Sequence, residues 1–518
     1  MFLTIISKIT GFFRDILVAS EYGTTYETDA YNIALTIPTL AFTLIGTAVS
    51  TIFIPIFTRI LMRQGKEKMY VFANKILLIL FGIILIIYVL LFLQTNNIVE
   101  VLAPKFDDAT KILTIKLAKI CMINLIFLAI YSVFSAILQS LNEFTSVAMV
   151  GIVINIPIII YVLIFNKYGI FGLTAINILG YALQVLIQIP CLLKNKYKFT
   201  ISFDFKDKIF KDIPKLLIPV IIGVGINQVN LLVDQVVASG LEEGTISAIN
   251  LSNKVNMIIY GIYATSIMTA LYPVLTSEVE KINCFKEHIS KGICSITLIM
   301  LPASVGIMIL SRQLVVILFQ RGIFDEKSVE MTSLATLFLA IGTIFYSVRD
   351  IISKAFYSLR NTTTPMKNCI VGVCVNVILD ISLSKTMGIA GLALATSISA
   401  ITMAVLLYIS LRKKIGVILE KNFIYDLLKI MISTVIMGIC VYVMRGFIVY
   451  KSGIHLLMDL IVVICIAAIL YFTMLKVLKT SIFEEQVSIV KNKMKKFFAK
   501  VKSNRKIKDI YTCEDRNK

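Results

Sequence analysis

Arg14 and Asp15 stand side by side in "GFFRDILVASEYG" (11–23), inside a stretch apolar enough to enter a bilayer. A charge at mid-bilayer costs at least ~2.5–3.5 kcal/mol on insertion scales, so such residues face a wet cavity or a partner. Read as a helix at 100° per residue, Ser7, Lys8, Thr10, Gly11, Arg14 and Asp15 fall on one arc, and Ile5, Ile9, Phe12, Phe13 and Ile16 take the rest. Neighbours at i and i+1 do not face one another on a helix, so pairing between Arg14 and Asp15 is not expected. Two readings stay open for this arc: a substrate cavity, or a clamp between helices.

Two other stretches carry comparable groups. In "INQVNLLVDQ" (226–235), Asn227, Asn230 and Asp234 share one helical face. In "INLSNKVN" (249–256), Asn250, Asn253 and Lys254 do the same, and Lys254 is a second candidate for a buried cation. Two cations from different parts of the chain suit an anion such as a phosphate, which offers several acceptor oxygens. "NVILD" (376–380) sets Asn376 and Asp380 one turn apart, with Thr396 in the following "ALATS" (393–397). A carboxylate, an amide oxygen and a hydroxyl form an all-oxygen set suited to a hard cation, and Asp234 could complete it. Interhelical hydrogen bonding accounts for the same residues equally well.

The elements that position these groups are membrane helices. Apolar residues make up 58% of the 518-residue chain, with a mean hydropathy of +0.88. Runs of about 18 or more apolar residues recur, long enough to cross the bilayer core. They are continuous rather than alternating, which disfavours a membrane β-barrel. Fourteen candidate spans follow, from 2–20 to 454–476. The net charge of +20 lies mostly in short loops and the tail, so it reads as topology and anionic-lipid contact, not nucleic-acid binding. Basic loops at 58–68, 194–199, 206–215 and 412–414 alternate with neutral or acidic ones at 20–28, 106–108 and 239–245. The positive-inside bias places both termini in the cytoplasm.

The chain also repeats itself. "DILVAS" (15–20) returns as "DQVVAS" (234–239), 219 residues on, and "IFIPIFT" (52–58) as "ALYPVLT" (270–276), 218 on. Phe106-Asp107 returns as Phe324-Asp325, Asn155 as Asn376, and "GIFGL" (169–173) as "GIAGL" (388–392). The expected fold is an all-α polytopic membrane protein of about fourteen helices. Two parallel six-helix pseudo-repeats, 1–200 and 201–415, would surround a central cavity, followed by two extra helices at 416–476 and a basic cytoplasmic tail at 477–518. Such lobes can rock about the cavity.

Several chemistries are excluded or disfavoured. The nine cysteines are scattered, with no CxxC and no His cluster, so neither a disulfide framework nor a metal–thiolate site is expected. There is no GxxxxGK[ST], HExxH or GxSxG, which leaves little support for ATP drive or for an enzyme. No cleavable signal peptide is evident.

The motifs resemble the MurJ/MviN family, the lipid II flippases of the MOP transporter superfamily. The family's opening pattern, roughly S-R-x-x-G-x-x-R-D/E followed by F-G, D-A-F and I-P, stands here as "SKITGFFRD" (7–15), Tyr22-Gly23 and "DAYNIALTIP" (29–38). "FQRGIFD" (319–325) and "AFYSLRNTTTP" (355–365) match further on. The resemblance implies a flippase for an undecaprenyl-pyrophosphate-linked peptidoglycan precursor. Arg14, Lys254 and Lys8 would hold its diphosphate, with Asp15 and Asp29 beside the cavity. It also implies a sodium site at Asp234, Asn376, Asp380, Thr396 and the Leu392 carbonyl, with no other cofactor. The expected partners are the lipid-linked precursor, membrane lipids and cell-wall synthesis proteins. Where many members carry Arg-Arg after the I-P of span two, "TLAFTLIGTAVSTIFIP" (39–55) has no arginine, and Lys replaces the usual Arg at 254. Those departures leave room for another lipid-linked saccharide as cargo. The rivals are a drug or cation antiporter of the same superfamily and a non-transporting envelope scaffold.

Overall fold

In the computed structural model the described residues are 2–200, 224–226, 228–448, 453–488 and 491. Asn227, the basic run 206–215 and the tail from 492 onward lie outside them. The described residues are helical, with no strand among them. The helices are α1 (Phe2–Tyr22), α2 (Tyr26–Ala48), α3 (Ile54–Gln64), α4 (Lys66–Leu93), α5 (Thr95–Leu102), α6 (Asp108–Cys121) and α7 (Asn124–Ser140). Then come α8 (Thr145–Ile160), α9 (Gly169–Leu186), α10 (Ile189–Lys194), α11 (228–238) and α12 (Thr245–Ile259). The rest are α13 (Thr265–Ser277), α14 (Ile282–Ile309), α15 (Ser311–Phe319), α16 (Glu326–Ser358), α17 (Thr363–Met387), α18 (Ile389–Ile415), α19 (Lys421–Arg445) and α20 (Ile454–Val477).

Eleven stretches among the described residues are long and apolar enough to cross a membrane. Three features separate that number from the fourteen expected. α1 has the length, but Lys8, Arg14 and Asp15 interrupt its apolar run. The span expected at 214–238 is described only from 224. Thr145–Lys194 forms one helical stretch of 50 residues, about 75 Å at 1.5 Å per residue, more than twice a bilayer core. It folds back at Gly169, whose φ of +53° suits glycine, so that α8 packs on α9. There Gly180 lies so close that an added Cβ would meet the Ile154 carbonyl oxygen at 2.9 Å. Close backbone approach of this kind is how helices associate where lipid is as apolar as leucine. A π-helical turn at Val49–Phe53 precedes Pro55, whose ring cannot sit over the carbonyl of an undisturbed helix behind it.

The chain divides into two compact units. The first comprises Met1–Asn256, Ser311–Gly342 and Met366–Met403, the second Met257–Leu310, Thr343–Pro365 and Ala404–Lys518. In the first, Ile33 and Ala34 of α2, Leu117 and Met122 at α6, and Leu173 of α9 are fully buried together. In the second, Phe285 and Ile296 of α14, Ile351 and Phe356 of α16, and Leu411 of α18 form the core. By contrast, α4 exposes Phe81, Ile83, Leu85, Ile86, Val89 and Leu90, the apolar surface that lipid requires.

The repeat is visible in local chemistry. Asp107 caps α6, accepting from the Ala109 and Thr110 amides and from the Thr110 hydroxyl. Its counterpart Asp325 caps α16, accepting from the Ser328 amide and hydroxyl at 2.8 and 2.7 Å. Both carboxyls lie below the usual aspartate range, Asp107 chiefly through the Thr110 hydroxyl and Asp325 chiefly through the Ser328 amide. A depressed carboxylate stabilises the fold above its unfolded pKa and loses that contribution as pH falls through the folded one. Both caps therefore persist at pH ~3.9, where an unperturbed aspartate is half protonated. Asp325→Ala should raise amide exchange at 326–329 about fivefold, as loss of a ~1 kcal/mol cap implies, with α6 unchanged. Acidification to pH ~3.9 should not reproduce the effect in the unsubstituted chain.

Candidate functional site

The first cluster gathers Arg14 and Asp15 of α1, Asn155 of α8 and Lys254 of α12, four residues of the first unit. The Arg14 guanidinium donates from Nε and Nη2 to Asp15 Oδ1 at 3.0 and 2.7 Å. Its Nη1 donates to Asn155 Oδ1 at 2.9 Å. The other Asp15 oxygen, Oδ2, takes Lys254 Nζ at 2.8 Å. Arg14 and Asp15 thus do pair, against expectation: the long arginine stem curls the fork back onto the carboxylate one residue ahead. Asp15 is then a single anion shared by two cations, from opposite halves of the repeat. Arg14 has five N–H donors and uses three; Lys254 has three and uses one. With side-chain exposures of 26% and 40%, the two cations keep donors for an incoming anion. Lys8 lies six residues before Arg14 on α1 and is exposed.

Asp29 has another job. It is 3% exposed, and both its oxygens are used: Oδ2 accepts from the Gly244 amide at 2.8 Å, and Oδ1 from the Ser247 amide and hydroxyl at 2.8 and 2.7 Å. A carboxylate of α2 therefore caps α12 from outside, where orphan amides and the helix dipole favour negative charge. Gly244 makes this possible. Its φ is +87°, and an added Cβ would strike the Thr24 carbonyl at 2.2 Å.

The second cluster is anionic. The Asn376 amide nitrogen donates to Asp234 Oδ1 at 2.8 Å and to Asp380 Oδ2 at 2.5 Å. Asn376 and Asp380 are wholly buried, yet Oδ1 of each has no hydrogen-bond partner. Two carboxylates around one amide, with unpaired acceptor oxygens out of water, fit a hard cation. Thr396 donates to the Leu392 carbonyl at 3.0 Å. Asp234, Leu392 and Thr396 line a cavity of about 70 Å³, and so do Gln235, Asn250 and Asn253. Among the described residues no group of three or more His, Cys, Asp or Glu side chains is placed to hold a metal ion.

Sequence reasoning missed Asn155, although its repeat partner Asn376 was the available signal. It also missed a set of hydroxyls. Thr47, Thr51 and Thr58 each donate to the carbonyl four residues back, at 2.7, 2.7 and 2.9 Å. Their counterparts 218 residues on, Thr265, Thr269 and Thr276, do the same at 2.8, 2.7 and 2.9 Å. Among the described side chains of 26–64, the large apolar ones exposed are Tyr26 and Met62; 263–281 exposes none. In both units these stretches therefore expose hydroxyl oxygens where large apolar side chains are few.

Comparison with known proteins matches residues 18–463 to the family model described as lipid II flippase MurJ. The chain is 29% identical over 457 residues to the "Probable lipid II flippase MurJ" of Rickettsia prowazekii, covering 86% of this chain and 89% of that one. It is 28% identical over 441 residues to the lipid II flippase MurJ of Thermosipho africanus, covering 85% and 88%. A solved structure titled "Lipid II flippase MurJ, inward closed conformation" superposes with a TM-score of 0.78 at 26% identity, over 92% of this chain and 98% of that one. An inward-facing MATE multidrug transporter of the MOP superfamily shares the fold alone, with a TM-score of 0.67 at 14% identity over 79% and 94%.

Asp29→Ala would leave the Gly244 and Ser247 donors buried and unpaired, at ~1–3 kcal/mol for each unsatisfied group. Amide exchange at 244–248 should rise at least about tenfold. Exchange in α6 should stay unchanged. Equal exchange at 244–248 in both proteins would remove the capping role.

Proposed function

Because the chain belongs to the lipid II flippase MurJ family, it moves a lipid-linked peptidoglycan precursor across the membrane and performs no reaction on it; we propose that the Arg14–Asp15–Lys254 cluster is where it takes the diphosphate. The observation that carries this reading is one carboxylate shared by two partly exposed cations. Asp15 acts as a resident counter-ion. It holds Arg14 and Lys254 charged and in place while the site is empty of cargo. An arriving diphosphate, with more charge and more acceptor oxygens, competes with Asp15 for Lys254 and for the unused guanidinium N–H groups. Lys254 offers a point charge instead of a planar fork, so the grip on the diphosphate is less directional than an arginine pair would give.

Around that site the cycle is alternating access. Lobes 1–200 and 201–415 rock, the headgroup passes outward, and the polyprenyl tail stays in the bilayer. The basic loops at 58–68, 194–199 and 412–414 support an orientation with both termini in the cytoplasm. Asp234, Asn376, Asp380, Thr396 and the Leu392 carbonyl would hold a sodium ion, and the orphaned oxygens of Asn376 and Asp380 support that assignment. The bound ion would supply the positive charge that lets both carboxylates stay ionised together. Carboxylates placed there can respond to the membrane potential, worth ~2.3 kcal/mol per charge per 100 mV.

Arg14→Ala should lower delivery of lipid II headgroup to the outer leaflet by about tenfold or more in cells depleted of other flippases. Unchanged delivery at equal protein level would defeat the assignment. Asp380→Asn should abolish any sodium-dependent rise in the melting temperature of the purified protein while leaving its potassium control unaltered. A sodium response that survives the substitution would refute the ion site.

A further inference from the structure

The second unit holds another pair of cations, and nothing in the cycle above uses them. Arg349 donates from Nε and Nη2 to Asp350 Oδ1 at 2.9 and 2.8 Å. The Tyr260 hydroxyl donates to the other Asp350 oxygen. The guanidinium also lies 4.9 Å from the centre of the Tyr346 ring. Both oxygens of Asp350 are thereby occupied. One and a half turns along α16, the Lys354 ammonium stands 5.1 Å from the centre of the Tyr272 ring and 5.9 Å from that of Tyr357. Among the described residues Lys354 has no carboxylate partner. Contact with aromatic faces steadies the ammonium but gives it no hydrogen-bond acceptor of the kind a carboxylate offers. With no carboxylate beside it, the ammonium keeps its N–H donors for an incoming anion.

Its surroundings say what kind. Tyr272 lies on the hydroxyl face of α13, between Thr269 and Thr276. That wall exposes hydroxyls and no large apolar side chain. The protons of Thr269 and Thr276 are committed to the carbonyls of Thr265 and Tyr272. The Thr269 oxygen is thereby left as an acceptor for hydroxyl or amide N–H groups, and the Thr276 oxygen, 3.4 Å from the Ser358 hydroxyl, has a lone pair to spare. A row of acceptors, an aromatic ring beside them and an ammonium without a counter-ion together match a sugar–peptide that carries carboxylates.

We propose that Tyr272, Lys354 and Tyr357, with Thr269 and Thr276, form a subsite for the carboxylate-bearing glycopeptide portion of the cargo. This inference rests on the flippase reading but not on the residues assigned to the diphosphate. Lys354 Nζ donates to a peptide carboxylate, the Tyr272 ring covers a C–H face, and the threonine oxygens accept from sugar hydroxyls or peptide amides. Asp350, held by Arg349 and Tyr260, is kept from competing for Lys354.

The test is calorimetric titration of the full-length protein in detergent with two soluble probes: a disaccharide–pentapeptide without phosphate or lipid, and inorganic pyrophosphate. Lys354→Ala should weaken the glycopeptide about tenfold and leave pyrophosphate within about twofold. Lys354→Arg should restore most of the loss, because it keeps a cation over the rings. Arg14→Ala should give the opposite pattern. Lys354→Met keeps the stem against the tyrosines and covers the case in which alanine unsettles α16. Glycopeptide affinity unchanged in both Lys354→Met and Tyr272→Leu would overturn the proposal, as would a wild type that does not bind the glycopeptide. Loss of the pyrophosphate arm alone would instead count against the Arg14–Lys254 assignment.

Discussion

The first unit is organised around the cost of placing charge where water is scarce. Asp15 answers it with one carboxylate divided between two cations, Oδ1 to Arg14 and Oδ2 to Lys254. Removing either cation would leave the other overbound; removing the anion would leave two like charges on adjoining helices. Neither α1 nor α12 can therefore choose its rotation freely. Asn155 completes the set by turning its oxygen to Arg14 and its nitrogen to the Gly151 carbonyl at 2.6 Å. Gly151 stands where an added Cβ would strike the Ser7 hydroxyl at 1.9 Å, so α8 is brought against α1 at the level where the amide is needed.

The two clusters of the first unit are related by the internal repeat, and they have diverged in opposite directions. Asp15 corresponds to Asp234, and Asn155 to Asn376. In each copy the asparagine amide contacts the charged group. The difference lies in two substitutions. Arg14 has Val233 as its counterpart, and Asp380 has Ile159. One copy added a cation beside its aspartate and recruited another from α12; the other added a second carboxylate. A shared Asp–Asn frame thus became a net positive site in one half and a net negative site in the other. The two halves of the repeat thus carry opposite polarity on one shared frame.

Much of this was legible in the sequence, for a physical reason. Charges inside apolar runs are expensive, so their identities mark functional or paired positions wherever they occur. Arg14, Asp15, Asp234, Lys254 and Asp380 could be picked out on that ground alone. Helical periodicity placed Asn250, Asn253 and Lys254 on one face, and the structure puts the first two on the cavity wall and the third on Asp15. Partnership was harder to read. Spacing reports which residues share a face of one helix, not which face of another helix meets it. The i,i+1 rule failed for Arg14 because it describes Cβ directions, and a guanidinium reaches several bonds beyond its Cβ. Asp29 looked like a cavity acid, since its three donors lie some 215 residues away on backbone that no pattern reveals. No sequence pattern singled out Thr47, Thr51 and Thr58, and their common bonding to the carbonyl four residues back emerged only with coordinates.

α12 ties these features together. Within its first twelve residues it carries Ser247, held by Asp29; Asn250 and Asn253, which line the cavity beside Asp234; and Lys254, bound to Asp15. A continuous helix of this length moves nearly as a rigid body, because sliding one turn past its neighbours breaks every side-chain contact it makes at once. Any change in charge at the Asp234–Asp380 pair alters the field on the wall that holds Asn250 and Asn253. A shift of that wall changes the distance from Lys254 to Asp15. The reverse holds with the same free energy, since coupling between two sites is reciprocal. An anion that draws Lys254 away from Asp15 therefore acts on the cavity wall that Asn250 and Asn253 of the same helix form beside Asp234. The geometry gives the Asp15–Lys254 pair and the cavity beside Asp234 one common element, α12.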